Sequence, residues 1–177
     1  MKPTYELVLL LFDDEHRAVE VLHTLKDVER QGRARLFNAA ILEKDPAGKT
    51  HVHETQDVSA GKGALFGAIV GGLIGLLGGP GGAIVGAAAG AATGGVAADR
   101  LDMGFSDDFM HQLEESLKPG SSAFVALLEP EWAERTLAEM QPLGGRMLRH
   151  ALKSDLAARL AEVRSETDPG NLPDTKT

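Results

Sequence analysis

Between Lys62 and Asp99 the chain carries no charged residue, and within that stretch glycine recurs at every fourth position. The first series is Gly63, Gly67, Gly71, Gly75 and Gly79. After Pro80 a second series runs through Gly82, Gly86, Gly90 and Gly94, with Ala98 next in phase. An α-helix has 3.6 residues per turn, so a period of four keeps each series on one slowly drifting face. Gly78-Gly79-Pro80-Gly81-Gly82 separates the two series, because proline and clustered glycines end helices. The block therefore predicts a hairpin of two antiparallel helices over residues 63–98, each with a stripe of bare backbone.

Such a helix is expensive in isolation. Each interior glycine costs roughly 1 kcal/mol against alanine, so the regular series needs close helix packing to offset it. Small-xxx-small stripes are a device for backbone-level contact between helices, chiefly in membranes. The opposite face of the first arm carries Leu65, Phe66, Ile69, Val70, Leu73, Ile74 and Leu77. That face needs lipid, a partner subunit or the domain core, and the expectation is lipid or a partner. An arm of about 15 residues rises only ~22 Å, short of the ~30 Å hydrocarbon layer. The second arm has Ile84, Val85 and Val96 as its only large apolar residues, so alone it inserts poorly. A paired hairpin, with every backbone group satisfied inside its own helix, is the form that suits a membrane. A soluble oligomer core is the alternative.

The flanking sequence reads as a small α+β domain. Tyr5 to Phe12 is a short, nearly continuous apolar run, as in a strand buried on both faces. Asp13 or Asp14 is expected to cap a helix reaching about Gln31, stopped by Gly32, with Ala18, Val21, Leu22, Leu25 and Val28 as its apolar stripe. Residues 35–43 and 49–54 read as strands joined by the turn Asp45-Pro46-Ala47-Gly48. Ser106 is expected to cap a helix through Leu117, followed by a strand over 122–128, and Pro130 to open a helix with Trp132, Leu137 and Met140. A strand over 146–151 precedes an amphipathic helix marked by Leu152, Leu156, Leu160 and Val163. Without the glycine block the order is βαββ–αβαβ plus a trailing helix, which predicts a ferredoxin-like sandwich with helices on one face of a mostly antiparallel sheet. The α+β domain is then discontinuous, residues 1–62 and 99–164, and the polar stretch 165–177 is a loose tail.

Candidate sites for chemistry are weak. A formal net charge of −8 argues against nucleic acid, which needs a dense Lys/Arg surface. The absence of cysteine removes thiolate chemistry and cysteine-held metals. Gly61-Lys62-Gly63 fails as a phosphate loop, because Gln56 and Gly63 stand where glycine and Ser/Thr are required. His51 and His53 share one face of a strand, but no third ligand accompanies them. His16 and His23 lie two turns apart on the first helix and read as surface residues. Asp13-Asp14-Glu15 and Asp107-Asp108 are explained by helix starts and the helix dipole. Trp132 and Met140 read as packing residues. No catalytic set, metal site or cofactor is expected.

Phe12-Asp13-Asp14-Glu15-His16-Arg17-Ala18, the uncharged glycine block, Gly104-Phe105-Ser106-Asp107-Asp108-Phe109 and Lys118-Pro119-Gly120-Ser121-Ser122-Ala123 together resemble a bacterial family filed as domain of unknown function 1269. The resemblance covers about residues 5–160. It implies a ferredoxin-like core with an inserted glycine-rich hairpin and association with membranes, and it supplies no reaction. The expected function is that of a non-enzymatic protein whose hairpin docks in or on the membrane and drives homo-oligomerisation, with the α+β domain in the cytoplasm; no secretory leader is seen at the N-terminus. The alternative is a soluble homo-oligomeric regulatory or small-ligand-binding module.

Overall fold

Seven residues from Glu6 to Phe12 form strand β1, and every side chain from Leu7 to Phe12 is buried. A strand alternates its side chains between two faces, so this run requires cover on both. The computed structural model describes residues 4–54, 60–77, 104–158 and 160. In chain order the elements are β1, α1 (Arg17–Arg30), β2 (Asn38–Lys44), β3 (Thr50–Glu54), α2 (Ala60–Leu77), α3 (Asp107–Ser116), β4 (Ser121–Leu128), α4 (Ala133–Met140), a 3₁₀ turn (Gln141–Leu143) and β5 (Arg146–Ala151). Residues 154–158 are again helical.

The strands make one sheet in the order β3-β2-β4-β1-β5, and every pairing is antiparallel. β4 runs beside β1 from Glu6↔Leu128 to Phe12↔Ser122 and beside β2 from Asn38↔Leu127 to Lys44↔Ser121. β1 and β2 therefore point the same way with β4 between them, joined by α1. β4 and β5 point the same way with β1 between them, joined by α4. Two split β-α-β units are thus interleaved. The expected mixed α+β chain with an antiparallel sheet is the observed class.

One expectation is corrected. Helices cover both faces of the sheet rather than one. Val8, Leu10, Phe12, Ile41, Phe124 and Ala126 meet α1 and α4 through Val21, Leu25, Leu137 and Met140. Leu7, Leu9, Leu11, Leu42, Val125 and Leu127 meet α2, α3 and the C-terminal segment through Leu73, Leu113 and Leu156. The physical reason lies in the strands themselves. β4 is buried at every position from Ser121 to Leu128, so a single helical layer would leave half of its apolar side chains in water.

The start of α1 is a second correction. The helix begins at Arg17, with His16 at the cap position and no side-chain cap. Asp14 Oδ1 instead accepts from the His16 N–H at 2.8 Å. The first turn is held from the sheet. The buried Ser122 hydroxyl accepts from the Ala18 N–H at 3.1 Å and donates to the Asp14 carbonyl at 2.5 Å. By contrast α3 starts as expected, with Ser106 Oγ accepting from the Phe109 N–H at 3.2 Å. At the other end of α1 Gly32 takes a positive φ of 70°, the left-handed conformation that ends helices.

Replacing Ser122 by alanine leaves a buried N–H and a carbonyl without that hydroxyl. The expected loss is about 1–3 kcal/mol, measured by urea unfolding as a lower midpoint with an unchanged m-value.

Candidate functional site: the glycine-phased helix

The glycine block contributes α2, 18 residues from Ala60 to Leu77. The helix starts three residues before Gly63, so Lys62 lies within it rather than at its border. Gly63, Gly67, Gly71 and Gly75 fall on α2. Gly79, Gly82, Gly86, Gly90 and Gly94, with the Pro80 break and the second arm of the expected hairpin, lie outside the described residues, as does the tail 165–177.

The apolar face of α2 has a definite destination. Phe66, Ile69 and Leu73 are 0% exposed, Val70 1% and Ile74 4%. They belong to one cluster with Leu7, Leu9, Leu42, Leu127, Phe109, Leu113 and Leu156. For these five residues the expected lipid or partner contact is corrected to the chain's own core, the third destination that an apolar face admits. Energetics explain the choice. Burying a Leu, Ile or Phe side chain is worth about 1.5–3 kcal/mol, and the second face of β1, β2 and β4 offers that burial without a membrane or a second chain. The same gain outweighs the roughly 1 kcal/mol cost of each glycine in the helix. Leu65 and Leu77 lie on α2, with side chains outside the described set.

With the bulky face turned inward, the small face is left outside. Gly67, Ala68, Gly71 and Gly72 are half-buried. A Cβ built on Gly71 would meet no atom within 4 Å. At Gly71 the stripe therefore presents bare backbone that the described residues leave uncovered. An 18-residue helix rises about 27 Å, and among the described residues no helix is long and apolar enough to cross a membrane.

The other candidate side chains resolve into local roles. His51 and His53 share a face of β3, as the strand spacing predicts, and each meets a carboxylate of the same hairpin. His51 Nε2 lies 3.0 Å from Asp45 Oδ2, and His53 Nε2 3.1 Å from Glu43 Oε2. Sequence spacing missed these pairs, because they depend on the register that sets Glu43 opposite His51. The hydrogen bond from His51, followed by that from the Lys49 N–H, lowers the Asp45 pKa below its ordinary value. Among the described residues no group of three His, Cys, Asp or Glu side chains is placed to hold a metal. Glu129 is a buried acid that sequence reasoning did not single out, its side chain 3% exposed with Arg35 Nε at 3.9 Å. The residues of the Gly104-Phe105-Ser106 motif are structural. Phe105 stacks on Phe109 at 5.4 Å, and both rings pack against the His150 imidazole, at 4.8 and 5.2 Å. Trp132 is half-buried, with the Arg135 guanidinium over its ring at 5.4 Å.

An antiparallel sheet with helices on both faces, one of them a glycine-phased helix docked by its bulky side, defines a small α+β class. The family described as protein of unknown function (DUF1269) matches residues 64–164, from within α2 through β4 and β5 to the C-terminal segment, and the chain belongs to that family. No curated protein and no solved structure matches it.

Two outcomes follow. Leu73→Ala is expected to destabilise the chain by about 2–5 kcal/mol, as for a core leucine, seen by thermal or urea unfolding; a change under about 0.5 kcal/mol is the surface result. Asp45→Asn should lower stability at neutral pH. Because the folded-state pKa of Asp45 is depressed, its contribution is present above the unfolded pKa and is lost as pH falls through the folded one. The gap between wild type and variant should therefore close in acid, followed as unfolding midpoint against pH.

Proposed function

We propose that this chain is a non-enzymatic, self-assembling protein in which a ferredoxin-like core carries the glycine stripe of α2 as a helix-packing surface. The observation that carries this reading is the orientation of α2. Phe66, Ile69, Val70, Leu73 and Ile74 are spent on the core, and Gly71, where an added Cβ meets no atom within 4 Å, leaves a place where another helix can approach to backbone distance. Glycine at every fourth position is costly for a helix that only covers a sheet, since alanine would serve the outer face better. A close-packed partner helix, from the second arm of the block or from another copy, accounts for that pattern.

Membrane association is the second reading, supported by the uncharged stretch from Gly63 to Ala98. In this reading the block enters lipid as a paired unit, and the α+β domain stays on the cytoplasmic side. The small outer face of α2 contributes little to transfer into lipid, because only bulky apolar side chains favour insertion appreciably. That weighs toward protein packing as the primary role of the stripe.

Gly71→Leu and Gly71→Ala separate the alternatives. There is room for a Cβ at Gly71, so Gly71→Ala should stabilise the folded chain by about 0.5–1 kcal/mol. Gly71→Leu should keep the fold yet lower the molar mass measured by light scattering. An assembly of unchanged mass would contradict packing of the stripe against another copy. Flotation of the full chain with liposomes tests the second reading: recovery with the vesicles supports it, and retention in the soluble fraction removes it.

A further inference from the structure

Among the described residues β3 is an edge strand, with β2 on one side and no strand on the other. Its register is unbroken, from Thr50 opposite Lys44 to Glu54 opposite Ala40. The hairpin turn fixes which of its backbone groups face outward. The Asp45 N–H donates to the Lys49 carbonyl at 3.0 Å, and hydrogen-bonded positions alternate along an antiparallel pair. His51 and His53 therefore bond to β2, while the N–H and C=O groups of Thr50, Val52 and Glu54 are directed to the edge. A row of such groups is a template for one more strand.

The two edges of the sheet are guarded differently. β5 carries the exposed Arg146 and Arg149, charges of the kind that discourage a further strand. β3 has no lysine, arginine or proline, and no bulge interrupts it. Its sequence also fits itself. Antiparallel pairing of two copies about a two-fold axis at Val52 uses the whole strand, setting Thr50 opposite Glu54, His51 opposite His53 and Val52 opposite its own equivalent. Residues 50, 52 and 54 then all fall in hydrogen-bonded pairs, as their outward backbone groups require. Val52 is half-buried and packs against the core cluster that includes α2, so two Val52 side chains meeting on the axis extend that core. On the other face His51 and His53 already meet Asp45 and Glu43 of their own hairpin, so neither needs a partner across the axis. We propose that β3 is an isologous interface through which two copies of this chain join their sheets edge to edge. The edge shares no residue with the glycine stripe and does not rest on it.

Analytical ultracentrifugation of the full chain tests this, both with Gly71 intact and in the Gly71→Leu chain, where the stripe is blocked. The Gly71→Leu chain should remain a dimer through β3. Val52→Lys or Val52→Glu puts like charges opposite each other on the axis and should raise the dimer dissociation constant about tenfold or more. Mixed in equal amounts, the two variants bring opposite charges together and should recover a heterodimer, which no other occupant of the edge predicts. Thermal melting verifies that each is folded. Should the charges unfold the chain, Val52→Cys carries the test. Opposed hydrogen-bonded positions have Cα atoms about 5.5 Å apart, within disulfide reach, so mild oxidation should cross-link Val52→Cys but not Ala47→Cys in the exposed turn. A Gly71→Leu chain of unchanged mass removes the stripe contact and leaves this test standing. Full chain that is monomeric up to about 1 mM would overturn the β3 pairing. So would an unchanged dissociation constant in both single variants, a mixture no tighter than either variant alone, or equal cross-linking at positions 47 and 52.

Discussion

Two inner strands that are apolar on both faces set the terms for everything else in this chain. β1 and β4 lie side by side, and between them they offer Leu7, Leu9, Leu11, Val125 and Leu127 to one side and Val8, Leu10, Phe124 and Ala126 to the other. A helical layer on one side alone leaves the second set in water. α1 and α4, the crossovers of the two split β-α-β units, supply the first layer. The second layer comes from outside those units, from α2, α3 and the C-terminal segment. The described part of the glycine-rich block, α2, is therefore part of the core.

That dual use explains the composition of α2. One side must reach the sheet with large side chains, and Phe66, Ile69, Val70, Leu73 and Ile74 do so. The other side has been stripped to glycine and alanine, which no contact with the sheet requires. A helix that is bulky inward and bare outward is suited to sit between two layers: its own sheet below and another helix above. In the proposed assembly, docking on the sheet and packing against another helix use different faces of the same element and do not compete.

Much of this was legible from residues alone. The apolar run of β1, the stop at Gly32, the Asp45–Gly48 turn, the Ser106 cap and the last strand follow from local patterns of spacing and turn chemistry. The four-residue glycine period identified the most unusual helix. What local pattern could not show was destination. A bulky helix face fits lipid, a partner or a core equally well, and only the surplus of apolar side chains on the second face of β1 and β4 decides among them. That surplus was present in the sequence as unbroken hydrophobicity, a sign of burial on both faces that contradicts a one-sided helical layer. The cap of α1 failed as an expectation for a related reason: Ser122, more than a hundred residues away, supplies the hydrogen bond that Asp13 or Asp14 was expected to make. The histidine–carboxylate pairs depend on strand register, which local spacing does not encode.

The absence of cysteine from the chain permits a direct test of how α2 is oriented. Single substitutions Leu73→Cys and Gly71→Cys, labelled with a thiol reagent in the full folded chain across a range of protein concentrations, report the two faces separately. The inward-bulky, outward-bare arrangement predicts that position 73 stays protected at every concentration, while position 71 reacts readily in dilute chain and becomes protected as assembly proceeds. Labelling at position 73 as fast as in the unfolded chain, or a rate at position 71 that ignores concentration, would contradict it.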